Sequence, residues 1–500
     1  MVFHVTAVGP GGHLPPGAPS GTLTNVTLYV DTLQMPKHSL VLILALFAVC
    51  APYSMAYAAT YYVDSANGND NNSGTSETSA FRSVSKVSAL SLAAGDSVLF
   101  RRGQTYSGVL NVGSNGSANA PISFATWGSG NPPLLYEIYI SGNYVTIDGL
   151  DVDHQKDASD AIRVRSGHNA TFRNMEIRNG TQDGIDADQA DGLTVENVEI
   201  HHFLNGSFGS QDDSHGITAT NTDGVTIRNV NIHQVSGDSF QADPNRLAGN
   251  ITNNILIEDS VLWTAPLAQN FNSGWSAGDS PGENAIDTKV VTSGWDSEIR
   301  MKITLRNVVA YGWTPVPEIS NRAVFNLKEK IDATMDRITV YGSEIAFRVR
   351  GGRGNANTVI SNSVIYDVGT AVRSEDDLTD LRVYNTTFGN GISTLLQYAG
   401  GSGGVGSWDW RNNAFVGNSK PAEAGDPSNV LASNADFASA SQRDYHPVPG
   451  SVVVDAGVVI PSVTVDRDNN PRIDPYDSGA FELQDSVARR PKPPVLEIAP

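Results

Sequence analysis

The chain has one cysteine in 500 residues, Cys50, so no intrachain disulfide can form and stability must come from a buried core. Basic residues are also scarce. Lys and Arg number 33 against 53 Asp and Glu, a formal charge of −20, which argues against nucleic acid as a partner because phosphate backbones are held mainly by Lys and Arg. A local basic cleft remains compatible with that total. The apolar run Leu40 to Cys50 is too short for a membrane span. Lys37 and His38 precede it and Ala56-Tyr57-Ala58 follows, the small-x-small pattern of leader cleavage, so 35–58 is read as a signal peptide and Ala59 as the mature N-terminus. The segment 1–34 is then read as a gene-start artefact. These features imply a secreted protein, extracellular or periplasmic, with no membrane partner after cleavage.

What the chain has in quantity is glycine, 48 residues, and short alternating segments. Ile286-Asp287-Thr288-Lys289, Phe325-Asn326-Leu327-Lys328 and Phe347-Arg348-Val349-Arg350 each alternate an apolar or small residue with a polar one. Such alternation predicts a strand with one buried and one exposed face. The pattern recurs at Ile162, Ile185, Ile217, Phe240 and Val372, so successive starts lie 23, 32, 23, 46, 39, 22 and 25 residues apart. A period in the low twenties with insertions marks a solenoid, whose units bury their apolar faces by stacking on one another. A second strand type follows most of these, and an Asn recurs at its turn: Asn174, Asn197, Asn229, Asn307, Asn362, Asn385 and Asn412. Asn tolerates the left-handed conformation and can bond to a stacked copy of itself, which predicts a ladder.

These stacks resemble the right-handed parallel β-helix of the pectate lyase superfamily, over roughly residues 60 to 485. The resemblance implies an all-β solenoid with a short N-terminal capping helix, for which Phe81 to Leu92, with Val84, Val87, Leu90 and Leu92, is the candidate. The expected organisation is a cap and first coils at 59–125, a β-helix with the active face at 126–420, closing coils at 421–485 and a disordered Pro-rich tail at 486–500. Tyr445-His446-Pro447 and Asp474 to Glu482 resemble the closing segment of secreted proteins of this kind.

Function has to come from the exposed strand face. One outward column reads Arg163, Asp186, Thr218, Gln241, Asp287, Asn326, Arg348, Arg373; the other reads Arg165, Asp188, Thr220, Asp243, Lys289, Lys328, Arg350, Glu375. With coils about 4.8 Å apart, Lys289, Lys328 and Arg350 become neighbours. Mutual repulsion is expected to lower a lysine pKa toward a usable base. Asp183, Asp223 and Asp238 precede Gly or Ser and read as turn residues, whereas Asp188, Asp243 and Asp287 point outward and are expected to hold Ca2+.

Carboxylate ligands beside a basic column suit a uronic-acid lyase, and the segments resemble polysaccharide lyases of families six and nine. Likeness to family six implies Lys328 as base and Arg350, helped by Arg348, as acid or carboxylate clamp, although Gly351 replaces the usual His. Likeness of Glu283 to Lys289 to family nine implies Lys289 as base beside calcium. Both lysines stay candidates. Asn326, Arg373, His215 and Trp313 are expected to bind substrate, and aromatic rings at Trp263 to Trp275, Trp295, Tyr311 and Trp313 to stack on sugars. Two other classes stay open. Gln211 to Gly216 resembles polygalacturonase-type inverting hydrolases, though its Asp pair and His lie on one coil, and a non-catalytic carbohydrate binder or adhesin is the third. The partner expected is an anionic polysaccharide met by a monomer.

Overall fold

The computed structural model describes residues 58–484, apart from 244–251, 290–299, 329, 352–355, 376–377, 400–404 and 418. The leader read before Ala58, the tail after 485 and Trp295 lie outside the described residues. From Thr60–Val63 to Val430–Ala432 every strand pairing is parallel, and the chain winds as a right-handed parallel β-helix of about 11 turns. Parallel pairing thus extends beyond both ends of the stretch 126–420.

Three sheets line the coil, and the alternation places their strands. The third carries Ile162–Arg165, Ile185–Asp188, Ile217–Thr220, Phe240–Asp243, Ile286–Thr288, Ala323–Leu327 and the ends of Thr339–Arg350 and Val364–Glu375. Its inward column, Ile162, Ile185, Ile217, Phe240, Ile286, Phe325, Phe347 and Val372, is buried throughout. Full burial of such side chains contributes about 1.5–3 kcal/mol each. Phe325 and Phe347 stack with centroids 5.2 Å apart.

The asparagine ladder is present. On successive coils, Gly149, Asn174, Asn197, Asn229, Asp259, Asn307, Arg337, Asn362, Asn385 and Asn412 all have φ between +46° and +74°. Asn197 Nδ2 donates to Asn174 Oδ1 (3.2 Å), and Asn229 Nδ2 donates to Asn197 Oδ1 (2.6 Å). Where the ladder lacks Asn, a neighbouring aspartate accepts instead: Asp148 from Asn174, Asp259 from Asn307 and Asp336 from Asn362. Asn197→Ala should therefore cost about 2–3 kcal/mol in urea unfolding, the sum of a left-handed backbone and two hydrogen bonds. Asn197→Gly should recover about 1 kcal/mol of it. Equal losses for the two variants would remove the backbone part of that explanation.

At the N-terminal end a helix spans Val84–Ser88, shorter than the sequence suggests, with Val84 and Val87 in the main core and the Ser83 hydroxyl accepting from Lys86 N at 3.1 Å. At the other end Phe437–Ser439 pairs antiparallel with Asp444–Pro447 over a core of its own that includes Tyr445 and Phe481. Buried Arg472 bonds to Asn362 Oδ1 at 2.7 Å and to Glu482 Oε2 at 3.1 Å, tying the closing segment to the ladder.

Candidate functional site

The register of the third sheet is the one the alternation implies. Asp186 lies between Arg163 and Thr218, Gln241 between Thr218 and Asp287, and Asn326 between Asp287 and Arg348, which is followed by Arg373. In the second column Lys289 N bonds to Ala242 O (3.0 Å) and Lys328 N to Thr288 Oγ1 (2.8 Å), and Arg350 pairs with Glu375. Lys289, Lys328, Arg348, Arg350 and Arg373 therefore share one face.

They do not simply repel one another. Asp287, 1% exposed, is bonded by Lys328 Nζ at 2.8 Å and Lys289 Nζ at 3.1 Å, both on Oδ2. Glu375 accepts from Arg348 Nε and Nη2, each at 3.0 Å, and is ion-paired with Arg350 Nε at 3.2 Å and Arg373 Nε at 2.6 Å. Among the described residues these five cations have two carboxylates as direct partners, and their side chains are 15–28% exposed. Burial alone would favour neutral Lys289, but Asp287, Asp238 and Asp213 outweigh it and raise its pKa. The expected depression of this lysine is thus reversed: the alternation fixed its neighbours but not the carboxylate its head would reach.

A second polar row, two residues ahead of each strand's first apolar residue, comprises Asp160, Asp183, His215, Asp238 and Asn284. His215 Nδ1 lies 3.0 Å from Asp183 Oδ1 and its Nε2 3.6 Å from Asp238 Oδ2, while Asn284 Nδ2 donates to Asp238 Oδ1 at 2.7 Å. Asp183 and Asp238, each flanked by bends just before its strand, are thus also the partners of His215. Despite a burial that opposes charge, Asp183 and Asp238 push His215 up to about 9. Because this folded value exceeds the usual unfolded one near 6.5, the stabilisation is complete below about pH 6.5 and lost as pH rises through about 9, on the order of 3 kcal/mol. Denaturant unfolding should show that decline, and His215→Gln should flatten it between those limits; an equally steep decline in the variant would refute the assignment.

Asp160, Asp183 and Asp186 bring carboxylate oxygens within 4.8 Å of one another, and this is the one such acidic group among the described residues. Burial, then the charges of Asp186 and Asp183, raise the pKa of Asp160; burial also raises Asp186, against the pull of Arg165.

Three expectations need correcting. Asp188, Asp243 and Asp287 lie on separate strands and form no common ligand set: Asp188 accepts from Asn221 Nδ2 at 2.9 Å, and Asp287 is taken up by two ammonium groups. His215, 5% exposed, is enclosed between carboxylates rather than turned to a sugar. Trp313, 1% exposed, belongs to the main core, and Trp275 is buried in a satellite cluster. Trp263 and Tyr311 spend their ring faces on a stack running from His201 through His233, Trp263, Tyr311 and Tyr341 to Tyr366, with centroids 4.2–5.9 Å apart. None of these four rings offers a free sugar platform.

Arg322, buried and unnoticed in the sequence, fixes the loops beside the lysines. It donates to Gly282 O (3.0 Å), Pro281 O (2.6 Å), Ser280 O (3.4 Å) and Thr314 O (2.9 Å).

A family model described as a right-handed beta helix region matches residues 136–286. A lacto-N-biosidase of Bifidobacterium longum subsp. longum is 32% identical over 137 residues, which is 25% of this chain and only 9% of that relative. Among solved structures, pectate lyase Pel9A aligns over 86% of this chain and 98% of its own at 16% identity, TM-score 0.49. An alginate lyase from Paenibacillus sp. FPU-7 aligns over 55% and 91% at 18% identity, TM-score 0.39. A GH136 lacto-N-biosidase from Eubacterium ramulus aligns over 70% and 68% at 12% identity, TM-score 0.42.

Proposed function

We propose that this protein is a secreted polysaccharide lyase that cleaves a uronic-acid-containing polysaccharide by β-elimination. The observation that carries the reading is the excess of cations over their direct partners among the described residues, five against Asp287 and Glu375, on adjacent coils of a chain whose formal charge is −20. An anionic sugar relieves that excess. Arg348 and Arg350 are assigned to the uronate carboxylate, which a guanidinium grips in bidentate fashion. Neutralising that carboxylate acidifies the neighbouring C–H. Lys328 is assigned as the base, because three carboxylates hold the proton on Lys289, which serves as a fixed cation. In its neutral form Lys328 takes the ring proton, the C–H pair becomes a C=C bond, and the glycosidic C–O bond breaks. The pair leaves on oxygen, which takes a proton from water.

The leader read at 35–58 would deliver the enzyme to the polymer, and the helix Val84–Ser88 would close the open N-terminal end of the stack. Calcium suits Asp160, Asp183 and Asp186 better than the set expected from sequence, since their crowded oxygens are hard ligands whose mutual repulsion a divalent cation offsets. Bound there, it would add positive charge to the same face. Millimolar calcium should raise the melting temperature and Asp186→Asn should remove the rise; an identical gain in the variant would place the ion elsewhere.

A second reading, glycoside hydrolysis, is favoured by the same trio, since it needs a pair of carboxyl groups with different proton affinities, and burial raises Asp160 while at Asp183 burial is outweighed by the His215 contact, which lowers it. Incubation with alginate, pectate, glucuronan and glycosaminoglycans separates the two. Elimination gives products whose conjugated double bond absorbs in the ultraviolet; new reducing ends without that absorbance would favour hydrolysis.

A further inference from the structure

We propose that Asp287 is the positioning residue for the base, a role that rests on the lyase reading and replaces the metal-ligand role its outward position suggested. Asp287 stands in the first column between Gln241 and Asn326, on the strand next to that of Lys328. Its carboxylate is 1% exposed, and Oδ2 alone meets both lysines, at 2.8 Å from Lys328 Nζ and 3.1 Å from Lys289 Nζ. Oδ1 is buried without a hydrogen-bond partner. One buried anion thus sets where two flexible four-carbon chains end.

The arrangement acts on the chemistry through charge. As Lys328 takes the proton from the sugar, its nitrogen changes from neutral to cationic, and a fixed carboxylate 2.8 Å away stabilises the charge that develops. Lys289 stays protonated on the same oxygen, so the pair of lysines is divided into one permanent cation and one group that cycles. A carboxylate shared in this way also keeps the two heads on one side of the face, aimed at the same sugar residue. Neither effect needs a metal ion.

The test is Asp287→Asn in the full-length protein, with two readouts. The first is turnover against pH. Loss of the carboxylate should lower kcat roughly a hundredfold with KM changed less than about threefold, and should move the rising limb of the profile to lower pH, because an amine without its anion gives up its proton more readily. The second is independent of activity: the rate at which Lys289 and Lys328 are acylated by an amine-reactive ester, mapped by peptide mass spectrometry across pH. The half-labelling point should fall by about one pH unit in the variant. Lys289→Met gives the opposite sign, since it leaves Asp287 to Lys328 alone and should raise the half-labelling point of Lys328; this variant serves if Asp287→Asn does not fold. Unchanged labelling in both variants, or altered labelling with wild-type kcat, overturns the positioning role. Absence of unsaturated product from the wild type sinks the lyase reading and the base role together, and is seen before any variant is made.

Discussion

Lys328→Ala should lower the turnover of uronate elimination by roughly a hundred- to ten-thousand-fold, the usual contribution of a general base, while KM changes little. The expected split follows from the site. Lys328 is 15% exposed and bonded to Asp287, so its removal leaves Arg348, Arg350, Arg373 and Lys289 to bind the anionic chain. Arg350→Ala should show the reverse pattern, a rise in KM at least as large as the fall in kcat, because it deletes a carboxylate partner. Lys289→Ala should fall between them, since a cation is lost but the base remains. If Lys328→Ala keeps near-normal turnover while Lys289→Ala loses it, the two lysines exchange roles; if both keep it, elimination by an amine base is wrong.

Arg322→Leu should cost on the order of 3 kcal/mol, because it strips a donor from the buried carbonyls of Ser280, Pro281 and Gly282, of which Pro281 O keeps Thr264 Oγ1, and a buried carbonyl costs about 1–3 kcal/mol when left unsatisfied. Burial pulls this guanidinium down to about 10, still cationic at neutral pH, so the wild-type side chain keeps all its donors. The carbonyls it bonds belong to Ser280, Pro281, Gly282 and Thr314, and the first three immediately precede Glu283, Asn284 and the strand bearing Asp287. Hydrogen exchange should therefore rise at 264–284 and 312–322 before the distant coils respond, and kcat should fall along with stability. Faster exchange spread evenly over the whole solenoid would instead make Arg322 a general core residue.

Much of this architecture is legible in the sequence because two of its rules are local. Period-two alternation with aliphatic residues inside fixes the face of each strand, and a repeated Asn fixes the left-handed turn; both columns and all seven ladder asparagines are found where those rules put them. The pairing of charges was hidden. A register says that Lys289 lies between Asp243 and Lys328, but a long side chain can lean along its own strand, and Lys289 reaches Asp287 two residues back. Arg373 and Glu375 do the same. The row Asp160, Asp183, His215, Asp238 and Asn284 was missed for another reason. It precedes each alternating segment, where Asp before Gly or Ser carries a turn signal; the fixed spacing of two residues before the first apolar position was the sign that could have revealed it. Trp313 misled because an aromatic ring in a long insertion looks available to a ligand, while here it is absorbed into the core.

The most direct measurement of the central claim is cleavage of the active polymer in water enriched in heavy oxygen, followed by mass spectrometry of the fragments. β-Elimination breaks the C–O bond without adding water, so the fragments should carry no heavy oxygen and should include one series lighter by one water than hydrolysis would give. One heavy oxygen per cleavage, with no unsaturated series, would contradict the account and move the chemistry from Lys328 to the carboxyl groups of Asp160, Asp183 and Asp186.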